Sequence, residues 1–260
     1  MFFLFRRKQV ETDKHRKTSA VHYMTAINLL HLLNYHKESN ELLYFYSTPG
    51  FKLTEYLINS VLQSLNLYEN MHVEFQEIHL QDDLILTLTD GEYSRTAVIS
   101  KNSPSVDMQV KIARFIDLFE AEFKNKIPKR LKDIEISTIS RLIDPTFADQ
   151  LIEECFEKSL TFPHLAHRPD ENQDLNTDEN LLHKLAFTLN EQSGPFLLGR
   201  LLSKAQMQTK ITDTSHLIEL IFILREKGAL KPLNPKEVDG YRDRMLREKA
   251  GLAGNPPKSA

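Results

Sequence analysis

Met108, Ile112, Phe115, Phe119 and Phe123 recur at spacings of 4, 3, 4 and 4. That period puts all five on one stripe of a helix. Three phenylalanines on one stripe make an apolar face too heavy to leave in water, and it needs a broad flat floor. "SPSVD" opens this helix, with Pro104 and Ser105 as start signals. The residues just upstream supply the floor. "DLILTLT" sets Leu84, Leu86 and Leu88 against Ile85, Thr87 and Thr89, the alternation of a strand. Asp90-Gly91 is a hairpin signal. "YSRTAVISK" answers with the continuous run Ala97, Val98, Ile99, as expected of a strand covered on both sides. In "HVEFQEIHL", Val73 and Phe75 alternate and Ile78 and Leu80 follow in the shifted phase, which predicts a bulge near Glu77.

Further upstream, Leu53, Leu57, Val61 and Leu65 share one face of a helix over 51–67. "ELLYFYS" at 41–47 reads as a strand ended by "TPG". Ala20, Met24, Ile27, Leu30 and Leu33 predict a helix over 19–36. A helix is also expected over 145–160, then a polar linker, then three short helices and an extended piece. The expected fold is α+β: an antiparallel sheet flanked by helices, plus a small, mostly helical C-terminal module. The expected divisions are an N-terminal segment 1–18, the α+β domain 19–166, a linker 167–179, the module 180–235, and a charged helix with a disordered tail at 236–260.

A single cysteine, Cys155, excludes an internal disulfide and makes a reducing, cytoplasmic setting the natural reading. The formal charge of −3 gives no global pull toward nucleic acid or anionic membrane. No stretch has the ~18 apolar residues that a membrane-spanning helix needs. "MFFLFRRKQ" places its apolar residues before its charges, the reverse of a secretory signal. Two readings of it stay open. Phe2, Phe3 and Phe5 tuck into the sheet as a first strand, or they dip into lipid while Arg6, Arg7 and Lys8 meet anionic headgroups. The second would make the chain peripheral at the inner membrane surface.

Chemical motifs are sparse. Neither a phosphate-binding loop nor a dinucleotide fingerprint occurs, and glycine is scarce at eight residues. No catalytic residue, metal site or cofactor is expected. His164 and His167, with Asp170 nearby, have two imidazoles at i, i+3, but surface loop histidines are the default reading. Asp82 and Asp83 fit a turn between strands. Cys155 sits in a helical stripe with Leu151, Ile152 and Phe156 and reads as a buried structural thiol.

The elements in "ELLYFYS", "FKLTEYLINSVLQSL", "HVEFQEIHLQDDLILTLTDGEYSRTAVISK" and "SVDMQVKIARFIDLFEAEF" resemble the longin and roadblock group of profilin-like domains. "LIEECFEKSLTFPH" is similar to the helix that trails longin-like domains in archaeal proteins. The resemblance spans about 40–166. A longin domain opens on a two-strand hairpin, and a roadblock domain on a helix followed by two strands. The resemblance implies a non-catalytic adaptor that binds a small GTPase or a homologous domain, a homodimer included, through sheet edges and long helices. The alternative is a transcription regulator, because three helices and an extended piece resemble a winged helix. Its third helix, "LIELIFILREKG", is apolar nearly all round, however, whereas a base-reading helix needs polar side chains. A nucleic-acid partner is therefore disfavoured.

Overall fold

The structure, a computed structural model, describes residues 18–123, 143–169, 173–234 and 237–241. The expected N-terminal segment, with Phe2, Phe3, Phe5, Arg6, Arg7 and Lys8, and the expected tail lie outside the described residues. The chain divides into two compact units, Ala20–Leu160 and another that holds Thr161 onward.

The first unit is α+β. Helix α1 covers 18–28. Then come β1 (Leu29–His36), β2 (Leu42–Ser47), α2 (Glu55–Leu67), β3 (Gln76–His79), β4 (Ile85–Asp90), β5 (Ser94–Ser100), α3 (Val106–Phe123) and α4 (Pro145–Phe156). The five strands form one antiparallel sheet in the order β2-β1-β5-β4-β3. Helices cover both faces. On one, Leu57, Val61 and Leu65 of α2 pack on Leu33, Tyr35, Leu86, Leu88, Ala97 and Ile99. On the other, Met108, Ile112, Phe115, Phe119 and Phe123 of α3, all fully buried, share a core with Leu29, Leu32, Tyr44 and Val98 of the sheet and Phe156 of α4. The aromatic rings continue from helix to strand: Phe119 lies 4.8 Å from Phe123 and 6.3 Å from Tyr44, centroid to centroid.

The helix expected over 19–36 is two elements. It stops at 28, and Leu29–His36 is the second strand of the sheet, with all eight residues buried. A strand flanked on both sides and covered on both faces has no polar alternation, so Leu30 and Leu33 fell into the helical period by coincidence. The strand expected around Glu77 is shorter than its apolar run. Gln76–His79 pairs with β4 without a register shift. Val73 is held instead by Asp90, whose N–H donates to the Val73 carbonyl at 2.8 Å while its carboxylate accepts the Val73 N–H at 3.1 Å. The phase change marks the start of β3, not a bulge. The β4–β5 hairpin closes through the three residues Gly91, Glu92 and Tyr93, with Gly91 N–H on the Ser94 carbonyl at 2.8 Å. Glu120 of α3 reaches into this loop and accepts from the N–H groups of Glu92, Tyr93 and Ser94. A Cβ at Gly91 would overlap that carboxylate and come within 2.7 Å of Ile116 Cγ2, so glycine is required for the close approach of α3.

The second unit begins earlier than the sequence suggests. β6 (His164–Ala166) pairs antiparallel with β7 (Leu230–Pro232), and His164 also bridges Phe196. Residues 161–166 therefore belong with the C-terminal helices and not with the domain expected at 19–166. The helices are α5 (Thr177–Ser193), α6 (Leu198–Gln208) and α7 (Thr214–Glu226). α5 starts inside the segment read as a linker. A capping box begins it, Asn176 accepting the Glu179 N–H at 2.9 Å and Glu179 accepting the Asn176 N–H at 3.0 Å. Leu217, Ile218, Leu220, Ile221 and Leu224 of α7 are buried, and only Thr214 and Glu226 of that helix are exposed.

Candidate docking surface

The sheet has two edges, β2 and β3, and they differ in chemistry. β3 is short, carries Glu77 and is flanked by Glu74, Asp82 and Asp83, and Gln76 Nε2 covers the Glu77 carbonyl at 3.1 Å. Charges on an edge strand guard it against pairing. β2 carries no charge from Leu42 to Ser47. Among the described residues, its backbone from Leu42 to Tyr46 bonds only to β1, so alternate N–H and C=O groups point outward without a strand to meet them.

α2 continues the same character. From Tyr56 to Tyr68 it has no charged residue, yet Tyr56, Ile58, Leu62 and Leu67 are exposed, Leu67 at 70%. In a chain that is 27% charged, β2 together with α2 beyond its first residue, Glu55, forms an uncharged surface poorly suited to bulk water. Its layout follows from register. Phe45 pairs with Leu33 and Leu42 with Tyr35, both in the core beneath α2, so Leu42 and Phe45 project from the α2 face of the sheet. Each is 40% exposed. The Phe45 ring stacks on His31, centroids 6.3 Å apart. On α2, the Tyr56 hydroxyl accepts the Gln81 N–H at 3.0 Å, which turns that flank toward β3. Ile58 and Leu62 lie about 200–240° further round the helix and so face the β2 side. Leu42 and Phe45 thus form a shelf at the sheet edge, with Ile58 and Leu62 on the helix flank above it.

Among the described residues, the buried charges of the first unit are paired internally. The guanidinium of Arg95 is buried on β5. It donates to Asp90 at 2.5 and 3.0 Å and to the carbonyls of Tyr68 at 2.9 Å and Met71 at 2.7 Å. Lys37 Nζ adds a contact to Asp90 at 3.0 Å. Burial alone would raise the Asp90 pKa, but the hydrogen bonds from Arg95, the Val73 N–H and Lys37 outweigh it and hold the carboxyl below its ordinary range. This network ties the end of α2 to the β4–β5 hairpin. Beside it lies an open cavity of about 530 Å³, lined by Lys37, Glu38, Glu69, Asn70, Glu92 and Tyr93. Its lining sets three carboxylates beside the Lys37 amine and the Tyr93 ring.

Lys158 is a second buried cation. Its Nζ donates to the carbonyls of Ala26 at 2.6 Å and Leu29 at 2.9 Å, capping the end of α1. Burial brings its pKa down to about 7, against the pull of Glu153. His31, buried and 3.0 Å from Ser47 Oγ, is lowered to about 4 by burial and by Lys158. His164 in the second unit is lowered to about 3, by burial and then by Arg225, with Nδ1 on the Phe162 carbonyl at 2.8 Å. Both histidines are neutral when folded and protonate on unfolding below their ordinary pKa of 6.5. The stability they contribute is complete above that value and is lost as pH falls toward their folded pKa. Between pH 6.5 and 5, above the carboxylate range, each should lower stability by roughly 2 kcal/mol. Urea unfolding of the parent should show this loss, His31→Phe should flatten it for the first unit and His164→Phe for the second. An equal slope in parent and variants would refute the assignment.

The sequence-derived candidates fall as follows. Met108, Ile112, Phe115, Phe119 and Phe123 are core, without exposed surface. His164 is not on a surface loop but buried within β6, whereas His167 is exposed and Asp170 is outside the described residues. Among the described residues no three His, Cys, Asp or Glu side chains gather as a metal site would require. Burial pushes the Cys155 thiol up to about 11, so it stays protonated. Asp82 and Asp83 form a 3₁₀ turn between β3 and β4, both at positive φ. No described helix is long and apolar enough to cross a membrane. The β2–α2 surface was missed in the sequence; the signal that could have found it is the absence of charge across 42–47 and 56–68. No family model, curated protein or solved structure matches the chain.

Proposed function

We propose that the chain is a non-catalytic adaptor of longin or roadblock type that binds a small GTPase or a homologous domain. The observation that carries this reading is the exposed, uncharged surface of 42–47 and 56–68 at a sheet edge that no described strand pairs. Depletion of charge with exposed aromatic and aliphatic side chains is the composition of an interface centre. The element order supports it: α1 and then the β1–β2 hairpin precede α2, the opening that the roadblock resemblance calls for. The rear unit has the outline of three helices and a two-stranded sheet, but burial of α7 withdraws the helix that would read a DNA groove.

The test is binding of the purified full chain to small GTPases encoded in the same genome, loaded with GDP or a non-hydrolysable GTP analogue, and to its homologous domains. Saturable binding that Ile58→Glu, on the β2-side flank of α2, weakens at least tenfold is expected. No binding to any of them at low salt would reject the reading.

A further inference from the structure

We propose that α1 is a detachable element whose docking is proton-sensitive through the buried amine of Lys158: α1 releases as pH falls toward neutrality and closes as pH rises. This switch is independent of the adaptor reading above.

The joint is built for it. α1 has an exposed side, with Val21 at 41% and Met24 at 54%, and a docked side with Tyr23, Thr25 and Ala26. Two consecutive residues at the end of α4 hold it. Glu157 meets His22 at 2.8 Å on the flank of α1, where each side chain is 32% exposed. Lys158 turns inward, and its Nζ donates to the carbonyls of Ala26 at 2.6 Å and Leu29 at 2.9 Å, where α1 runs into β1. Thr25 Oγ1 on Asp107 at 2.8 Å and Asn28 Nδ2 on the Asn102 carbonyl at 3.1 Å tie the same end of the helix to the start of α3. Glu157 ends α4 in the left-handed region, at φ 49°. Residues with a Cβ disfavour that region, and release of α1 lets the turn relax.

The amine is placed to respond to protons. Lys158 is 1% exposed, and an ammonium loses its hydration in such a place. The two α1 carbonyls match the two N–H groups of a neutral amine. Among the described residues, the groups around it are Glu153 of α4, Lys101 after β5, His31 of β1 and Tyr46 of β2, whose ring centre is 5.6 Å from Nζ. The Glu153 carboxylate favours the charged amine while it accepts the Ser159 N–H at 2.7 Å, and Lys101 opposes the charge. Burial outweighs Glu153 and brings the amine to about 7. His31, at about 4, is already neutral there, and burial holds the Tyr46 phenol above its ordinary range.

Release couples the two. Once α1 leaves, the amine meets water and returns toward its ordinary 10.5. Between 7 and 10.5 the open state binds a proton that the closed state lacks. Opening is therefore favoured about tenfold for each unit that pH falls, and levels off below 7. It uncovers Tyr23, Ala26 and the buried start of β1, so pH sets how much apolar surface this end of the sheet shows.

Amide hydrogen exchange on the full chain at pH 7, 8 and 9, corrected for the intrinsic rate, reads the opening. The amides of residues 23–28 should report an opening more frequent than that of β5, with a constant that falls about tenfold per pH unit. His22→Gln should keep this slope, and Lys158→Met should abolish it. Should Lys158→Met fail to fold, the Cε resonance of Lys158 in parent protein labelled with carbon-13 lysine decides, because it should titrate near pH 7. Four results would each overturn the proposal: α1 amides that open no more often than those of β5, an opening that does not change with pH, a slope that His22→Gln removes, or a Lys158 amine that stays charged through pH 9.

Discussion

Arg95→Met should unfold at a much lower urea concentration than the parent, with a loss of roughly 3–5 kcal/mol. The Arg95 side chain is 2% exposed and its partner Asp90 is fully enclosed. Removing the guanidinium leaves that carboxylate with the Val73 N–H, Lys37, whose side chain is 27% exposed and therefore partly screened, and the exposed His72 at 3.5 Å. It also takes a donor from the Met71 carbonyl and from that of Tyr68, which keeps the Met71 N–H at 3.0 Å. A buried acceptor without a partner costs roughly 1–3 kcal/mol by itself. Arg95→Met combined with Asp90→Leu should recover part of the loss, because it removes the uncompensated charge. Full recovery is not expected, because the Met71 carbonyl and the Val73 N–H lose the partners that Arg95 and Asp90 gave them. A double-mutant cycle in urea checks this. A single-variant loss below about 1 kcal/mol would mean that Arg95 is not the tie between α2 and the hairpin.

The second large effect belongs to Phe119→Ala, at roughly 3–5 kcal/mol. Phe119 has no exposed surface and sits between Phe115, 5.7 Å away, and Phe123, 4.8 Å away, with Tyr44 of β2 across from it. The close-packed rings around it cannot collapse into the space that its side chain would leave. Val110 lies on the same helix and is 62% exposed, and Val110→Ala should change stability by less than about 0.5 kcal/mol. Thermal or urea unfolding of both variants separates a helix docked on the sheet from one docked elsewhere: comparable effects at the two positions would contradict the docked stripe.

The strongest periodicities were legible in the sequence. The α3 stripe, the Leu57–Val61–Leu65 face of α2 and the run Ala97–Ile99 each follow one period without interruption, and each forms the element that the period implies. Errors arose where local pattern and tertiary burial disagree. Leu29–His36 is buried all round, so its leucines say nothing about strand or helix, and its pairing with β2 and β5 decided. α5 was cut short because "NTDE" is as polar as a linker, although the Asn176–Glu179 spacing is that of a capping box. β6 has only three residues, and its pairing with β7 spans most of the rear unit, a distance that no local window covers. The candidate surface was hidden for a further reason. Pattern reading looks for residues that carry chemistry, and β2 and α2 are distinguished by the charges that they lack.

Amide hydrogen exchange across Leu42–Ser47, followed in concentrated and in dilute protein, tests the docking edge most directly. A homologous domain docked on β2, as the adaptor reading proposes, predicts outward amides that exchange slowly in the concentrated sample and rapidly after dilution, while the amides of β1 and β5 stay protected in both. Outward amides of β2 that exchange rapidly at every concentration would contradict it.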